Sequence, residues 1–225
     1  MVVQTDSSQP GPPSRRIGGV DIPKGDLACD ALATAELFLP DLLNHHAHRV
    51  FIFAVLAGRH RALIFDQELL YAAAMFMNVG LTDVYARSQR RYELDSASAL
   101  RQCLTSRKVV DGSVLEAWYA VALHTTHEIP DHASPLAASL ASGVRMDLFG
   151  DKAAIVAREA KTEILNEFPR GKRFKERFIE AIGKGVAHRP ASTFGGVSAD
   201  VLERVDPNYC RLNYCGLILG AKWKD

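Results

Sequence analysis

Glu68-Leu-Leu-Tyr-Ala-Ala-Ala-Met-Phe-Met-Asn-Val-Gly-Leu81 is the stretch whose reading decides the fold of this chain. Asp66 stands just before it as a helix N-cap, and Gly80 is where an α-helix over 66–79 should stop. Outward from it the patterning stays helical, with apolar residues at three- and four-residue spacing. Upstream, helices are predicted over Leu27 to Leu39, ending before Pro40, and over Leu42 to Ala57, with Gly58 after it. Downstream they are predicted over Ser96 to Ser106 with Asp95 as N-cap, Ser113 to His124, Pro135 to Leu148, Asp151 to Phe168, and Phe174 to His188. Pro169, Gly171 and Pro190 punctuate the last of these. Strand-like runs are confined to 108–110 and 217–219. The pattern predicts an all-α chain, a single helical bundle over 17–225. Met1 to Arg16, rich in Ser, Pro, Gln and Gly, buries little and is predicted to be a disordered tail.

Composition narrows the function classes. The chain has 225 residues, a formal net charge of +1 and 48% hydrophobic residues, enough for one sizeable core. Acids and bases are interspersed, so no nucleic-acid footprint is expected. The longest apolar stretch, Val50 to Ala57, is too short to span a bilayer. The four cysteines, Cys29, Cys103, Cys210 and Cys215, form no metal-binding spacing. Reduced, buried thiols and a cytoplasmic location are the expectation. A homo-oligomer is compatible with the sequence.

Histidines carry the chemical signal. Asn44-His-His-Ala-His-Arg49 places His45 and His48 on one helix face and turns His46 elsewhere. Leu123-His-Thr-Thr-His127 ends a predicted helix, and Asp147 follows in Met146-Asp-Leu-Phe-Gly150. Imidazoles with a carboxylate suit a divalent metal, although no HExxH pattern is present. Arg49 and Glu93 could pair inside the bundle. Arg91 and Arg145 could instead meet an anionic group of a substrate.

Several segments in order resemble the cyanamide hydratase-like branch of the HD-domain superfamily. They are Ile17-Gly-Gly-Val-Asp-Ile-Pro23; Leu42 to Val50, similar to the family's NH-x-x-R helix with one inserted residue; Arg91-Tyr-Glu-Leu-Asp-Ser-Ala97; Trp118 through Thr126, ending Leu-His-Thr-Thr; and Asp147-Leu-Phe-Gly150. Phe168-Pro-Arg170 and Arg189 to Gly195 add to the match, which covers about 17–225. The resemblance implies a helical bundle around one or two metal ions, which generate hydroxide from bound water. It puts His46 in the first ligand position and Asp147 in the last, with His124 as an auxiliary ligand or proton-transfer residue. The family's His-Asp pair is replaced by Met77-Asn78. A thioether is a poor ligand for Zn, Fe or Mn, and Asn78 offers only a neutral carbonyl oxygen.

The leading expectation is therefore a small-molecule enzyme without a cofactor, of lyase, isomerase or cyclase type, with a place in secondary metabolism suggested by analogy. His46, His124 and Asp147 would serve as acid, base and orienting carboxylate. Met77, Asn78, Phe76, Met75, Trp118, His127 and His48 would line the substrate pocket. One alternative is a hydratase or hydrolase with one divalent metal (Zn, Fe or Mn) held by His46, Asp147 and His124. Another is a non-catalytic protein that binds a ligand or partner.

Overall fold

The computed structural model describes residues 15–222, so most of the expected N-terminal tail lies outside the described residues. The expected boundary is corrected at its end: Arg16 opens a two-residue strand. This β1 (Arg16–Ile17) pairs antiparallel with β2 (Val20–Asp21), Arg16 opposite Asp21 and Ile17 opposite Val20. The rest is helical: α1 (Asp26–Phe38), α2 (Asp41–His60), α3 (Gln67–Phe76), α4 (Tyr92–Ser106), α5 (Asp111–Leu123), α6 (Ile129–Ala133), α7 (Pro135–Phe149), α8 (Arg158–Glu167), α9 (Phe174–Val186), α10 (Ser198–Val205) and α11 (Tyr214–Leu219). The chain is all-α apart from the small hairpin.

Two helices form the centre. Every residue from His46 to Val55 on α2 is buried, as is every residue from Leu69 to Phe76 on α3. Such all-round burial needs neighbours on each side. α7 and α9 supply them for α2; α1, α4 and α5 pack against α3. Asp66 caps α3 as expected, its carboxylate accepting from the Glu68 and Leu69 amides at 2.8 and 3.0 Å. Ser134 caps α7 in the same way, accepting from the Ala137 amide at 3.1 Å.

Two glycines allow close approaches that matter for the site. A Cβ on Gly143 would stand 2.4 Å from the Val50 carbonyl oxygen, so only glycine lets α7 lie this close to α2. One turn further along α7, Asp147 is thereby brought to the His46 face of α2. A Cβ on Gly80 would stand 2.1 Å from the Tyr92 carbonyl oxygen. Gly80 thus holds the turn carrying Met77 and Asn78 against the start of α4.

The structure corrects several boundaries. α3 ends at Phe76, and the chain tightens into a 3-10 turn at Val79–Leu81. α4 begins at Tyr92, so Asp95 lies inside its first turn rather than capping it. Asp95 is buried and accepts from Arg189 at 2.6 Å and from Arg90 at 2.8 Å. α8 starts only at Arg158: Lys152 is left-handed (φ 52°) and Val156 extended, which breaks the apolar spacing there. The expected strand at 108–110 contains Lys108 at φ 57°, and 217–219 belongs to α11. Cys29, Cys210 and Cys215 are exposed rather than buried, and no disulfide joins the described cysteines. Among the described residues, no helix is long and apolar enough to cross a membrane.

Candidate functional site

The site grows from α2. His45 and His48 turn to one side: His48 stacks on Phe168 with ring centroids 4.3 Å apart, and His45 faces the Pro169 carbonyl at 3.2 Å. His46 turns to the opposite side and meets the Phe178 ring edge-on at 4.7 Å. Its Nδ1 lies 2.6 Å from Asp147 Oδ2.

Asp147 is fully engaged. Arg49, three residues after His46 on the same helix, donates from Nε to Oδ1 at 2.8 Å and from Nη2 to Oδ2 at 2.9 Å. Arg170 donates to Oδ1 at 3.0 Å. Arg49 also donates to the Phe168 carbonyl at 3.1 Å, which ties the chain before α9 to the cluster. His46, Arg49 and Asp147 are each about 1% exposed or less. Burial pushes the Asp147 carboxyl up, but the hydrogen bonds of His46 and Arg49 and their charges prevail and hold it well below the usual carboxylate range. The Arg49 partner is therefore Asp147, not Glu93. Glu93 meets Arg91 at 3.3 Å and accepts from Thr125 Oγ1 at 2.8 Å.

Burial lowers the His46 pKa from its ordinary 6.5, outweighing the Asp147 hydrogen bond and charge that raise it; Arg49 and Arg170 lower it further. The imidazole is neutral at pH 7. Its Nδ1–H donates to the carboxylate, and Nε2 is left with a lone pair. A second neutral histidine is arranged alike. His124 Nδ1 donates to the Val121 carbonyl at 2.7 Å, and Nε2 stands 3.5 Å from the Tyr92 hydroxyl. Burial lowers the His124 pKa, against the backbone hydrogen bond and the Glu93 charge. Burial also raises the Tyr92 pKa well above 10, so its hydroxyl keeps its proton.

Both histidines line one cavity of about 490 Å³, together with Asn78, Tyr92 and Thr125. Its walls are apolar: Val144, Leu148 and Phe149 from α7, Phe174, Phe178 and Ile182 from α9, Val197 just before α10 and Val201 on it. His127 lines it too, with a side chain 85% exposed, which places it at the mouth. Arg145 also lines it, but spends its guanidinium on Asp131 at 3.2 Å and Asp151 at 3.7 Å. Arg91, paired with Glu93, is not on the cavity.

Other residues expected in the pocket lie elsewhere. Met75 and Met77 are 0% exposed and Phe76 3%, all within the core. α3 is enclosed on every side, so these side chains pack inward instead of meeting a ligand. Trp118 packs on the outside of the core under the Arg101 guanidinium, 4.9 Å from the ring centroid. His48 is buried against Phe168, and burial holds its pKa down at about 4. Asp147 does not reach the cavity; it positions His46. The apolar wall went unrecognised because the α9 stripe Phe174, Phe178 and Ile182 reads like any core-facing helix stripe. Arg170 belongs to the segment Phe168-Pro-Arg170, yet its contact with Asp147 spans 23 positions and leaves no local signal in the sequence.

The ligand set His46, Asp147 and His124 does not fit a divalent metal. Two guanidiniums already occupy the carboxylate, and His46 directs Nδ1 at it. Among the described residues, no group of three or more His, Cys, Asp or Glu side chains is placed to hold a metal ion. No protein-family model matches the chain, and no curated protein matches it significantly.

Proposed function

We propose that this chain is a small-molecule enzyme built on an HD-type helical bundle, and that it moves protons with His46 Nε2 as general base. The observation that carries the reading is the 2.6 Å contact between His46 Nδ1 and Asp147, on a histidine that lines an apolar cavity. A buried carboxylate fixes the tautomer, so the lone pair sits on the other nitrogen. Burial, helped by the Arg49 and Arg170 charges, keeps His46 unprotonated near pH 7, ready to accept a proton. The Tyr92 hydroxyl, on the same cavity, stays protonated and faces His124 Nε2. A mostly apolar cavity of this size suits one small organic substrate. Lyase, isomerase or cyclase chemistry needs only such proton movement.

Deuterium exchange tests it. The chelator-treated protein is incubated in D2O with a panel of carbon acids comprising ketones, enones and nitroalkanes. Exchange above background that disappears in a folded His46→Ala variant supports the reading. Absence of exchange on every member of the panel, or exchange only after Zn is added, contradicts it.

A further inference from the structure

Among the described residues, five buried side-chain polar atoms have no hydrogen-bond partner, on Asn44, His48, Asn78, Trp118 and Ser198. Four of these residues lie off the cavity; Asn78 lines it. Asn78 is 2% exposed, and its orphaned atom is the amide nitrogen Nδ2. A buried N–H without a partner is costly and rare, more so than an undersatisfied carbonyl. As placed, Nδ2 is the enclosed atom and the oxygen is not among the enclosed, unpartnered ones; turned by a half-turn, which exchanges the two, the amide would put its donor where the oxygen now stands.

The other polar groups deep in the cavity are committed, the half-buried Thr126 hydroxyl apart. Thr125 donates to Glu93, Tyr92 faces His124, and both His46 and His124 spend their Nδ1–H inside the protein. The guanidiniums of Arg49 and Arg170 are spent on Asp147. Arg145 is held by two aspartates. Lys175, also on the cavity, is exposed. Among the described residues, the buried part of the lining therefore holds no uncommitted cation for a phosphate or carboxylate. Of the fully buried groups on the cavity, it offers one unpartnered neutral donor, Asn78, in the same cavity as a neutral base.

We propose that Asn78 binds the carbonyl oxygen of an apolar, enolisable ketone or enone and holds that oxygen as an enolate while His46 Nε2 takes the neighbouring proton. This deepens the proton-transfer reading and rests on it. The substrate C–H bond breaks, its proton passes to Nε2, and the electron pair moves onto the oxygen. Returning the proton to the same carbon gives exchange; returning it to a conjugated carbon gives an isomer. No other reactant is needed. A carboxylate at position 78 would repel the enolate oxygen, which gives a chemical reason for an amide there.

The test uses the full chain with α-tetralone and its oxygen-free counterpart tetralin. Binding of each is measured by equilibrium dialysis, and α-proton exchange of the ketone by NMR in D2O. Asn78→Leu keeps the γ-branched shape, with somewhat more volume, and removes the donor. It is expected to weaken α-tetralone binding roughly tenfold while tetralin stays within about twofold. Asn78→Asp, close in size to asparagine, is expected to lose the same preference if the leucine variant fails to fold. Ketone exchange should fall in both variants. An equal response of the two probes, wild-type protein that takes up neither, or exchange insensitive to Asn78 overturns the proposal. Ketone preference that depends on Asn78, without exchange in the wild type, would uphold oxygen recognition by Asn78 and sink the assignment of His46 as base.

Discussion

Asp147 grips His46 and Arg49 at once, although the two stand three residues apart on one helix. His46 Nδ1 and Arg49 Nη2 reach the same oxygen, Oδ2, at 2.6 and 2.9 Å. The carboxylate is thus shared between the group that fixes the imidazole and the groups that neutralise it. A lone Asp would pull the His46 pKa up; a pair of guanidiniums on that Asp takes much of the pull away.

Arg170 is the more accessible of the two guanidiniums, with a side chain 32% exposed. In Arg170→Gln the positive charge beside His46 is gone, and the His46 pKa should rise. Histidine titration by NMR on wild type and variant checks the direction. A fall or no change would show that Arg170 does not tune the base.

Removing Asp147 leaves the Arg49 guanidinium, 0% exposed, without its anionic partner. Asp147→Asn is expected to cost about 3–5 kcal/mol of stability, as for one partner lost from a buried ion pair. Urea unfolding measures it. A cost below about 1 kcal/mol would place the cluster in water rather than in the core.

Acid should destabilise the fold before the carboxylates titrate. Burial lowers the folded pKa values of His46, His124 and His48, the last to about 4, from an ordinary 6.5. The unfolded chain then binds more protons than the folded one in this window, so stability rises with pH across it. It is fully present above 6.5 and is lost as pH falls toward 4. Asp147, with its folded pKa depressed, adds a loss below the ordinary carboxylate value of 3.8. Thermal melts between pH 8 and 4 should show the decline, and His48→Gln should flatten part of it; a flat profile in the wild type contradicts buried neutral histidines.

Gly143→Ala pushes a methyl group to within 2.4 Å of the Val50 carbonyl oxygen. α7 must then back away from α2, at a cost of about 1–3 kcal/mol. His46 would also lose alignment with Asp147. Denaturant unfolding gives the first effect and the His46 NMR signal the second.

Helix content was readable because α2, α5, α7 and α9 repeat apolar residues at helical spacing and carry Asp, Ser, Pro and Gly at their ends. Asp66 and Ser134 cap through local hydrogen bonds, and local chemistry is what a sequence displays. The opposite facing of His46 and His48 followed from helical geometry alone. Tertiary pairings were not readable in this way. Arg49 could as well have met Glu93 as Asp147, since both carboxylates are distant along the chain. Met77 and Asn78 are adjacent, yet one is sealed in the core and the other lines the cavity, because α3 ends at Phe76 and the chain turns between them. Tyr92 was missed because α4 was expected to begin at Ser96, which left that residue in a loop.

The most direct measurement is the nitrogen-15 NMR spectrum of histidine-labelled protein at pH 7, with the His46 signals assigned by their loss in His46→Ala. A base positioned by Asp147 should show a protonated Nδ1 and an Nε2 with a bare lone pair, and adding Zn should leave both unchanged. A protonated Nε2, a doubly protonated ring, or an Nε2 signal displaced by Zn would contradict His46 as a metal-independent base.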